Sequence, residues 1–242
     1  MRGRAESRLT PLAVPALLAL IVPVLNEAHG IVGLLTPLQA WRLAGVEILV
    51  VDGGSTDATV AHASGLADQV LSAPPGRAAQ MNAGAAASRA KLLLFLHADT
   101  TLPAAALPVL CQLAAGVAPL WGRFDVRLDS PRALLWLVGT LMNLRSRITG
   151  IATGDQAMFV SRELFTACGG FPLIPLMEDL ALSSKLRREL MPLALRLRVL
   201  TSARRWEQSG AWRTIGLMWG LRLAYFLGAP PSRLAHWYRQ VR

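Results

Sequence analysis

The first hundred residues alternate between short apolar runs and longer segments with helical spacing. The apolar runs, which we interpret as strands, cover 17–24, 46–52, 67–73 and 91–99, and the helical segments cover 28–43, 57–65 and 77–89. Strands that are apolar on both faces and separated by helices are typical of a parallel sheet covered on both sides. The pattern therefore predicts an α/β fold with a mostly parallel sheet flanked by helices.

The second half of the chain is less regular. It predicts an extended segment at 121–128, a helix at 131–147, a strand at 154–161 and a helix at about 178–190. An apolar segment at 211–228 and a Pro-Pro break then precede a final helix. We expect one main domain over 1–206 and a basic helical tail over 207–242.

The positive charge is concentrated in the last quarter of the chain. Residues 187–242 hold 11 arginines against 2 glutamates, so they carry +9 of the formal net charge of +10. Such a block indicates an anionic partner, either lipid headgroups or nucleic acid, or a solvated arginine-rich surface. Trp212, Trp219 and Tyr225 suit a membrane interface, and we expect peripheral contact with anionic membrane. Arg213 and Arg222, however, are nine residues apart and predict charge on opposite sides of a helix.

The chain offers no sign of a disulfide framework or a zinc site. Its two cysteines, Cys111 and Cys168, are far apart and belong to no CxxC pair, which fits a reducing cytosol. The basic and then apolar start could be a signal peptide, but Pro11, Pro15 and Pro23 interrupt any helix there. Because no run reaches about 20 apolar residues, we expect a cytoplasmic protein without a spanning helix.

Polar residues follow three of the predicted strands at the point where each strand ends. They are Asn26-Glu27 after the first strand, Asp52 before GGSTD, and His97-Ala98-Asp99 after the fourth. In parallel sheets the carboxyl ends of the strands form the ligand crevice. The sequence therefore predicts a ligand site at this edge of the sheet.

Several of these residues suit particular chemistry. The sequence contains no GxGxxG or Walker motif, so the usual glycine-rich phosphate-binding loops are absent. We interpret Asp52, at the end of a strand, as a ligand residue and Asp57 as a helix cap. Arg77 opens a small-residue helix, where free N–H groups and a guanidinium suit a phosphate or a base edge; the alternative is a solvated arginine. In an extended segment His97 and Asp99 would point to the same side and could share a divalent cation such as Mn²⁺.

Asp179 lies at the start of the helix predicted near 178–190. Its spacing to Leu182 and Leu186 predicts that its carboxylate shares their inward face. The alternative is a carboxylate that only complements the helix dipole.

Six segments together resemble the family 2 glycosyltransferases with the GT-A fold. They are PVLNE (23–27), VVDGGSTD (50–57), FLHADT (95–100), GDQAMFV (154–160), ED (178–179) and RRW (204–206). FLHADT with the RRW segment is also similar to a subfamily of arsenosugar-biosynthesis glycosyltransferases. The resemblance implies a nucleotide-sugar-binding half at about 17–100 and an acceptor half at 101–206.

The resemblance also implies roles for single residues. Glu27 and Asp52 would hold the base and ribose of the nucleotide sugar, with Arg77 nearby, and Ala98 would line the same site. Asp99 would bind a divalent metal, Mn²⁺ or Mg²⁺, on the diphosphate; His97 stands where the family's Asp-x-Asp motif has its first acid. Asp179 would be the general base. The residues expected on the acceptor or diphosphate side are Gly154, Asp155, Glu178, Arg205 and Trp206.

We therefore predict an inverting glycosyltransferase that moves a sugar from a UDP- or GDP-sugar to an unidentified acceptor hydroxyl, at the inner face of the membrane and without a nucleic-acid partner. One alternative is a nucleotidyltransferase acting on sugar phosphates. That class should carry a glycine-rich loop with a basic residue after the first strand, and PVLNEAHG has none. The other alternative is a non-catalytic module whose basic tail holds lipid or nucleic acid.

Overall fold

The alternation of strands and helices expected for the first hundred residues is present in the computed structural model, which describes residues 16–240. The strands are β1 (Leu18–Val24), β2 (Glu47–Asp52), β3 (Gln69–Ser72), β4 (Leu92–Phe95), β5 (Thr100–Thr101), β6 (Trp121–Asp129), β7 (Phe159–Ser161) and β8 (Leu193–Ser202). Over the described range they form one mixed sheet in the order β3-β2-β1-β4-β7-β6-β8-β5.

The helices cover both faces of this sheet. They are α1 (Ile31–Leu43), α2 (Thr59–Ala63), α3 (Arg77–Ala87), α4 (Ala106–Ala115), α5 (Ala133–Thr149), α6 (Arg162–Ala167), α7 (Glu178–Glu189), α8 (Arg204–Gln208), α9 (Ala211–Phe226) and α10 (Pro231–Gln240). A short 3₁₀ helix, Gly154–Gln156, lies between α5 and β7.

The first four strands are parallel, as their two-sided apolar pattern predicts. β1 is buried along its whole length and lies between β2 and β4, with β3 beyond β2. Gly84 lets α3 lie close to this part of the sheet, because a Cβ there would come within 2.5 Å of Ile21 and 3.0 Å of Val51. The parallel arrangement does not continue, since β7 is antiparallel to β4 and β6, and β5 is antiparallel to β8.

Two predicted strands differ most from their expected bounds. The strand predicted at 91–99 ends at Phe95, and a turn follows in which the Thr100 N–H donates to the His97 carbonyl at 3.1 Å. The chain must turn here because β5 pairs with β8 at the far edge of the sheet. The strand predicted at 154–161 begins only at Phe159, since Thr153 and Gln156 form a capping box around the 3₁₀ helix. His97, Asp99 and Asp155 therefore lie on loops.

Side chains alternate along β1 between two cores. One face packs against α1, α2, α4 and α5, and the other against α3, α6 and α7. A third cluster joins Ile151 and the start of α7 to α9 and α10 through the fully buried Leu234 and the nearly buried Leu221. Two helices of the expected tail, α9 and α10, thus contact Ile151 and the start of α7.

Within residues 16–240, none of the helices is both long enough and apolar enough to span a membrane. Residues 1–15 lie outside the described residues; they include part of the stretch considered as a signal peptide and the first part of the domain expected at 1–206. The last two residues of the expected tail, 241–242, also lie outside them.

Candidate active site

The ends of β1 and β2 are held together by one glutamine. The buried Gln80 of α3 donates through Nε2 to the carbonyls of Val24 at 2.7 Å and Val51 at 2.8 Å. The Gly53 N–H also donates to the Val24 carbonyl, and a Cβ at Gly53 would lie 3.0 Å from the Gln80 amide. The absence of a side chain at Gly53 therefore leaves room for the Gln80 amide between the ends of β1 and β2. Gln80 in turn holds together the sheet edge where the sequence predicts a ligand.

Asp52 organises the turn that follows β2. Its nearly buried carboxylate accepts hydrogen bonds from the Gly54 and Ser55 N–H groups and from the Ser55 hydroxyl. Ser55 Oγ accepts from the Asn26 N–H at 2.8 Å, and Asn26 Oδ1 accepts from the Thr56 N–H at 2.9 Å. Because an ionised carboxylate has about four acceptor positions, Asp52 can still accept from a ligand hydroxyl.

Asp57 supports the start of α2. It accepts hydrogen bonds from Thr59, which lower its pKa, and from the Ala28 N–H at 3.1 Å. Thr59 Oγ1 in turn accepts from the Glu27 N–H at 2.8 Å. Asp57 is not the helix cap that the sequence predicts, because Ala58 occupies the N-cap position; it holds Thr59 and fixes the backbone that carries Glu27.

His97 packs against the loop that carries Asp155. Its Nδ1 lies 3.6 Å from Asp155 Oδ1, and a Cβ at Gly154 would overlap Cε1 and Nε2 of the ring. Only glycine at position 154 leaves room for the imidazole. The side-by-side arrangement of His97 and Asp99 expected from an extended segment does not apply, because both residues lie in the turn after β4.

The first turn of α7 brings two carboxylates to the site. Asp179 Oδ2 accepts from the Gly154 N–H at 2.7 Å, and Oδ1 accepts from the Leu180 N–H at 2.8 Å. Glu178 is buried and forms an ion pair with Arg77, with Nε and Oε1 2.9 Å apart. Arg77 at the start of α3 therefore contacts a carboxylate of this protein.

The sequence-based assignment of faces on α7 was incomplete. Glu178 lies four residues before Leu182 and eight before Leu186, and it is the more buried carboxylate, at 3% exposure. Asp179 lies at the edge of that face and is half-buried. Residues spaced by four share one helix face, so Glu178 should have been included with the two leucines.

The guanidinium of Arg77 interacts electrostatically with three carboxylates in the cleft. Burial lowers the pKa of Arg77, but the charges of Glu178, Asp179 and Asp155 outweigh it and leave the pKa raised. Burial raises the pKa of Glu178, and Arg77 opposes that rise. α3, α7 and the 3₁₀ loop thus form one connected charged cluster.

The second half of the chain adds residues that the sequence does not place in the site, among them Tyr225, which the sequence predicts at a membrane interface. Arg145 of α5 is half-buried, and burial together with the charge of Arg222 of α9 lowers its pKa to about 10, against the opposing effect of Asp179. Burial and the charge of Asp179 raise the pKa of Tyr225. The charge of Tyr238 of α10 contributes to raising the pKa of Arg77. Helices α9 and α10 pack against Ile151 and the first turn of α7, so they lie beside these charged groups.

A signal for Arg145 is present in the sequence. Leu135, Val138 and Met142 form the buried face of α5, and Arg145 follows Met142 by three residues. An arginine on the inward stripe of an apolar helix is unusual and indicates a functional or structural role. Arg222 gives a weaker signal, since it follows the buried Leu221 directly.

The remaining predicted residues are distributed around the cleft. Asp99 is exposed, and its Oδ1 accepts a 3.4 Å hydrogen bond from Thr100 Oγ1; Ala98 beside it is half-buried. Trp206 packs against the core on the α1 side of the sheet. The side chain of Arg205 lies outside the described residues.

The donor set fits a divalent cation that is shared with a substrate. The described residues contain no group of three or more histidine, cysteine or carboxylate side chains arranged to hold a metal. Mg²⁺ and similar hard ions are commonly bound through one or two carboxylates plus substrate phosphates, rather than by a cage of protein ligands. The exposed carboxylate of Asp99 fits that mode, while the His97 ring lies beside Asp155.

Residues 19–159, more than half of the chain, match the family described as Glycosyl transferase family 2. The chain belongs to this family. No curated protein sequence matches the chain.

Similar solved structures share the fold of this family 2 protein. TarS of S. aureus, in complex with UDP-GlcNAc, is 17% identical over 76% of this chain and 58% of its own, with a TM-score of 0.61. The mannosyltransferase PcManGT of Pyrobaculum calidifontis, in complex with GDP-Man and Mn²⁺, is 19% identical over 94% of this chain and 72% of its own, with a TM-score of 0.62.

The glucosyl-3-phosphoglycerate synthase of Mycobacterium tuberculosis, solved with Mn²⁺, UDP and glucosyl-3-phosphoglycerate, is 20% identical over 76% of this chain and 70% of its own, with a TM-score of 0.53. The family 2 chain spans 58% of the TarS fragment in complex with UDP-GlcNAc and 36% of a longer TarS structure. These likenesses identify a GT-A-like α/β fold with a mixed sheet.

Proposed function

We propose that the protein is an inverting, metal-assisted glycosyltransferase that moves a sugar from a UDP- or GDP-sugar to an acceptor hydroxyl. The observation that carries this proposal is the Asp179 carboxylate, held at 2.7 Å by the Gly154 N–H beside the Arg77–Glu178 ion pair. The FLHADT and RRW segments support placing it in the arsenosugar-biosynthesis subfamily.

The donor half supplies binding and orientation. The Asp52 turn and the fixed backbone at Glu27 suit the base and ribose, and Arg77 with Ala98 extends the same cleft toward the diphosphate. Asp99, with His97, would hold Mn²⁺ or Mg²⁺. When bound, such an ion neutralises the negative charge of a leaving diphosphate.

Asp179 is the proposed general base. The acceptor hydroxyl gives its proton to the Asp179 carboxylate while its oxygen forms a bond to the anomeric carbon. The bond from that carbon to the diphosphate oxygen breaks, and attack opposite the leaving group inverts the centre. The two N–H donors hold the carboxylate in one orientation, which suits proton transfer to a fixed partner.

The alternatives have less support. A sugar-phosphate nucleotidyltransferase needs a basic glycine-rich loop after the first strand, and β1 is followed by Asn26 and Glu27. A non-catalytic binding module would not require the connected cluster of Arg77, Glu178 and Asp179.

A ligand screen tests the proposal. Melting temperatures would be measured with UDP- and GDP-sugars, with and without Mn²⁺, because a ligand that binds only the folded state raises the melting temperature. The proposal expects one donor to stabilise the protein in the presence of metal and to be slowly hydrolysed by it. A protein that neither binds nor hydrolyses any donor in the set would contradict the proposal.

We also propose peripheral contact with anionic membrane at the cytoplasmic side, through apolar side chains that α5 and α9 expose. What we call the outer apolar face consists of Trp136, Leu137, Leu141, Leu144 and Ile148 of α5 with Trp212, Trp219, Leu223 and Phe226 of α9 and Leu227 directly after it. Arg222 is half-buried, and its Nε atom is inaccessible to solvent, so it does not belong to the exposed apolar side chains of α9.

The surroundings of this face carry positive charge. A cavity of about 510 Å³ between α5, α7 and α9 is lined by Arg187, Arg188 and Phe226, and both arginines are exposed. Exposed apolar side chains beside arginines match the apolar interior and anionic headgroups of a cytoplasmic leaflet. Nucleic acid offers no comparable apolar partner, so we expect none.

A further inference from the structure

Two arginines in the second half of the chain have buried guanidinium nitrogens without an acceptor among the described residues. The Nε and Nη2 atoms of Arg145 and the Nε atom of Arg222 are inaccessible to solvent and have no hydrogen-bond partner within residues 16–240. The two side chains come from different helices, α5 and α9, and the charge of Arg222 contributes to lowering the pKa of Arg145. This arginine pair, Arg145 and Arg222, is not used by the mechanism described above.

Several other arginines have carboxylate partners, whereas the half-buried Arg162 donates to the carbonyls of Ala85 and Ala90. Arg77 is paired with Glu178, and Arg123 is paired with Asp125, which also accepts from Arg147 at 2.7 Å. Burying a charge without a partner is costly, and two like charges side by side cost more. The arrangement is therefore suited to an anion that enters from outside and supplies the missing acceptors.

The position of the arginine pair is on the acceptor side of the cleft. Leu221 and Tyr225 of α9 pack in the same cluster as Leu180, the residue after Asp179, and the charge of Asp179 also acts on the pKa of Arg145. The donor contacts proposed above come from β1, β2, the turn after β4 and α3. An anion bound at the arginine pair would thus belong to the acceptor, whose hydroxyl lies at Asp179 in the proposed mechanism.

We propose that Arg145 and Arg222 bind an anionic group, a phosphate or a carboxylate, on the acceptor and so position its hydroxyl at Asp179. This inference rests on the proposed glycosyltransferase function. An anionic acceptor would be repelled by Glu178, Asp179 and Asp155, and two guanidinium groups offset that repulsion. Guanidinium groups also match the planar oxygens of carboxylates and the oxygens of phosphates with paired hydrogen bonds.

The test titrates inorganic phosphate, and separately acetate, into protein already saturated with Mg²⁺ and UDP or GDP. The nucleotide fills the donor diphosphate site, so further stabilisation reports a second anion site. The variants are Arg145→Gln and Arg222→Gln, with Arg213→Gln as the matched control, because Arg213 is an exposed arginine on the same helix as Arg222. Melting temperature is the readout.

The proposal expects one of the two anions to raise the melting temperature of the wild type by roughly 5 °C at a hundredfold excess over its dissociation constant. The rise should vanish in Arg145→Gln and Arg222→Gln and persist in Arg213→Gln. A response to phosphate but not acetate identifies a phosphorylated acceptor, and the reverse identifies a carboxylate. No response to either anion, or an equal response in all three variants, would overturn the proposal.

Nucleotide titrations separate this inference from the proposed function. If Arg145→Gln and Arg222→Gln lose UDP or GDP binding itself, the pair serves the donor diphosphate and the inference is wrong. If the wild type binds neither nucleotide, the proposed donor site is wrong, and the same anion titration of the free protein still decides the role of the pair.

The free proteins provide a second measurement. Replacing an arginine that lacks a counter-ion with neutral glutamine removes a repulsion, so the melting temperature of each variant without ligand should equal or exceed that of Arg213→Gln. Variants that melt several degrees below the control would show that the arginines stabilise the fold, which would overturn the assignment of a ligand site.

Discussion

The backbone N–H of Gly154 donates a 2.7 Å hydrogen bond to Oδ2 of Asp179, across 25 residues of sequence. The same glycine leaves the space in which the His97 ring lies, beside Asp155. A single small residue therefore joins the turn after β4, the 3₁₀ loop and the first turn of α7. This junction connects the proposed metal-binding side of the cleft with the proposed base.

Asp179→Asn tests the proposed base directly. The amide keeps the size of the carboxylate but cannot take the acceptor proton, so transfer should slow by roughly 10²–10⁴-fold. Its NH₂ group would face one of the two N–H donors, so we expect a loss of stability of about 1 kcal/mol. Metal-dependent donor binding should be unchanged, and kcat with saturating donor and acceptor is the measurement.

The matched control is Glu189→Gln, an exposed carboxylate at the other end of α7. Glu178 is unsuitable as a control, because it is buried and paired with Arg77. Wild-type turnover in Asp179→Asn would contradict the proposed base and show that Asp179 only complements the helix dipole. Asp155 would then be the next candidate for the base.

Gly154→Ala tests the junction. The added methyl group would overlap the His97 ring, which must move, and we expect a loss of roughly 1–3 kcal/mol in the free energy of unfolding. Because the N–H that holds Asp179 would shift with it, transfer should slow as well. Denaturant unfolding measures the first effect and steady-state kinetics the second.

Gly33→Ala is the control for this change. Gly33 is exposed within α1 and has no atom within 4 Å of an added Cβ, so alanine should stabilise the helix by up to about 1 kcal/mol. If Gly154→Ala behaves like Gly33→Ala in both measurements, the junction has no role in holding the site.

The strand ends of the cleft could be predicted from the sequence because a simple physical pattern produces them. Apolar runs buried on both faces end where polar residues begin, so Asp52 and Glu27 could be placed at one sheet edge from spacing alone. The turn at His97 could not, because it depends on the pairing of β5 with the distant β8. A local pattern carries no information about that partner.

The acceptor side of the cleft was less predictable for the same reason. Arg145, Arg222 and Tyr225 converge because α9 folds back onto α7 through Leu221 and its neighbours. Sequence spacing can assign each residue to a helix face, but it does not determine which helices pack together.

Asp99→Asn tests the metal. Asp99 is exposed, so the substitution should change the free energy of unfolding by no more than about 0.5 kcal/mol. The rise in melting temperature that UDP or GDP causes only with Mn²⁺ or Mg²⁺ should be lost, since the cation loses a carboxylate ligand. Asp129→Asn, another exposed aspartate, is the control and should retain the full rise. An undiminished metal-dependent rise in Asp99→Asn would remove Asp99 from the metal site.

The outer apolar face of α5 and α9 predicts binding to vesicles that contain anionic lipid. Trp219 and Leu223 are 67% and 61% exposed, so replacing both with aspartate should leave the fold intact while placing charge where the bilayer would lie. Burial of each side chain contributes about 1.5–3 kcal/mol, and each 1.4 kcal/mol is tenfold in affinity, so the double variant should bind vesicles at least a hundredfold more weakly. Co-sedimentation with phosphatidylserine vesicles at low salt measures this, with neutral phosphatidylcholine vesicles for comparison.

The control for that experiment is Leu43→Asp combined with Val117→Asp. These residues are 90% and 94% exposed but belong to neither α5 nor α9, so the same added charge away from the outer apolar face should leave vesicle binding close to that of the wild type. Both double variants lower the net charge equally. A loss of binding that is equal in the two would therefore indicate a general electrostatic effect, and an absence of binding by the wild type at low salt would show that the face does not dock on anionic membrane.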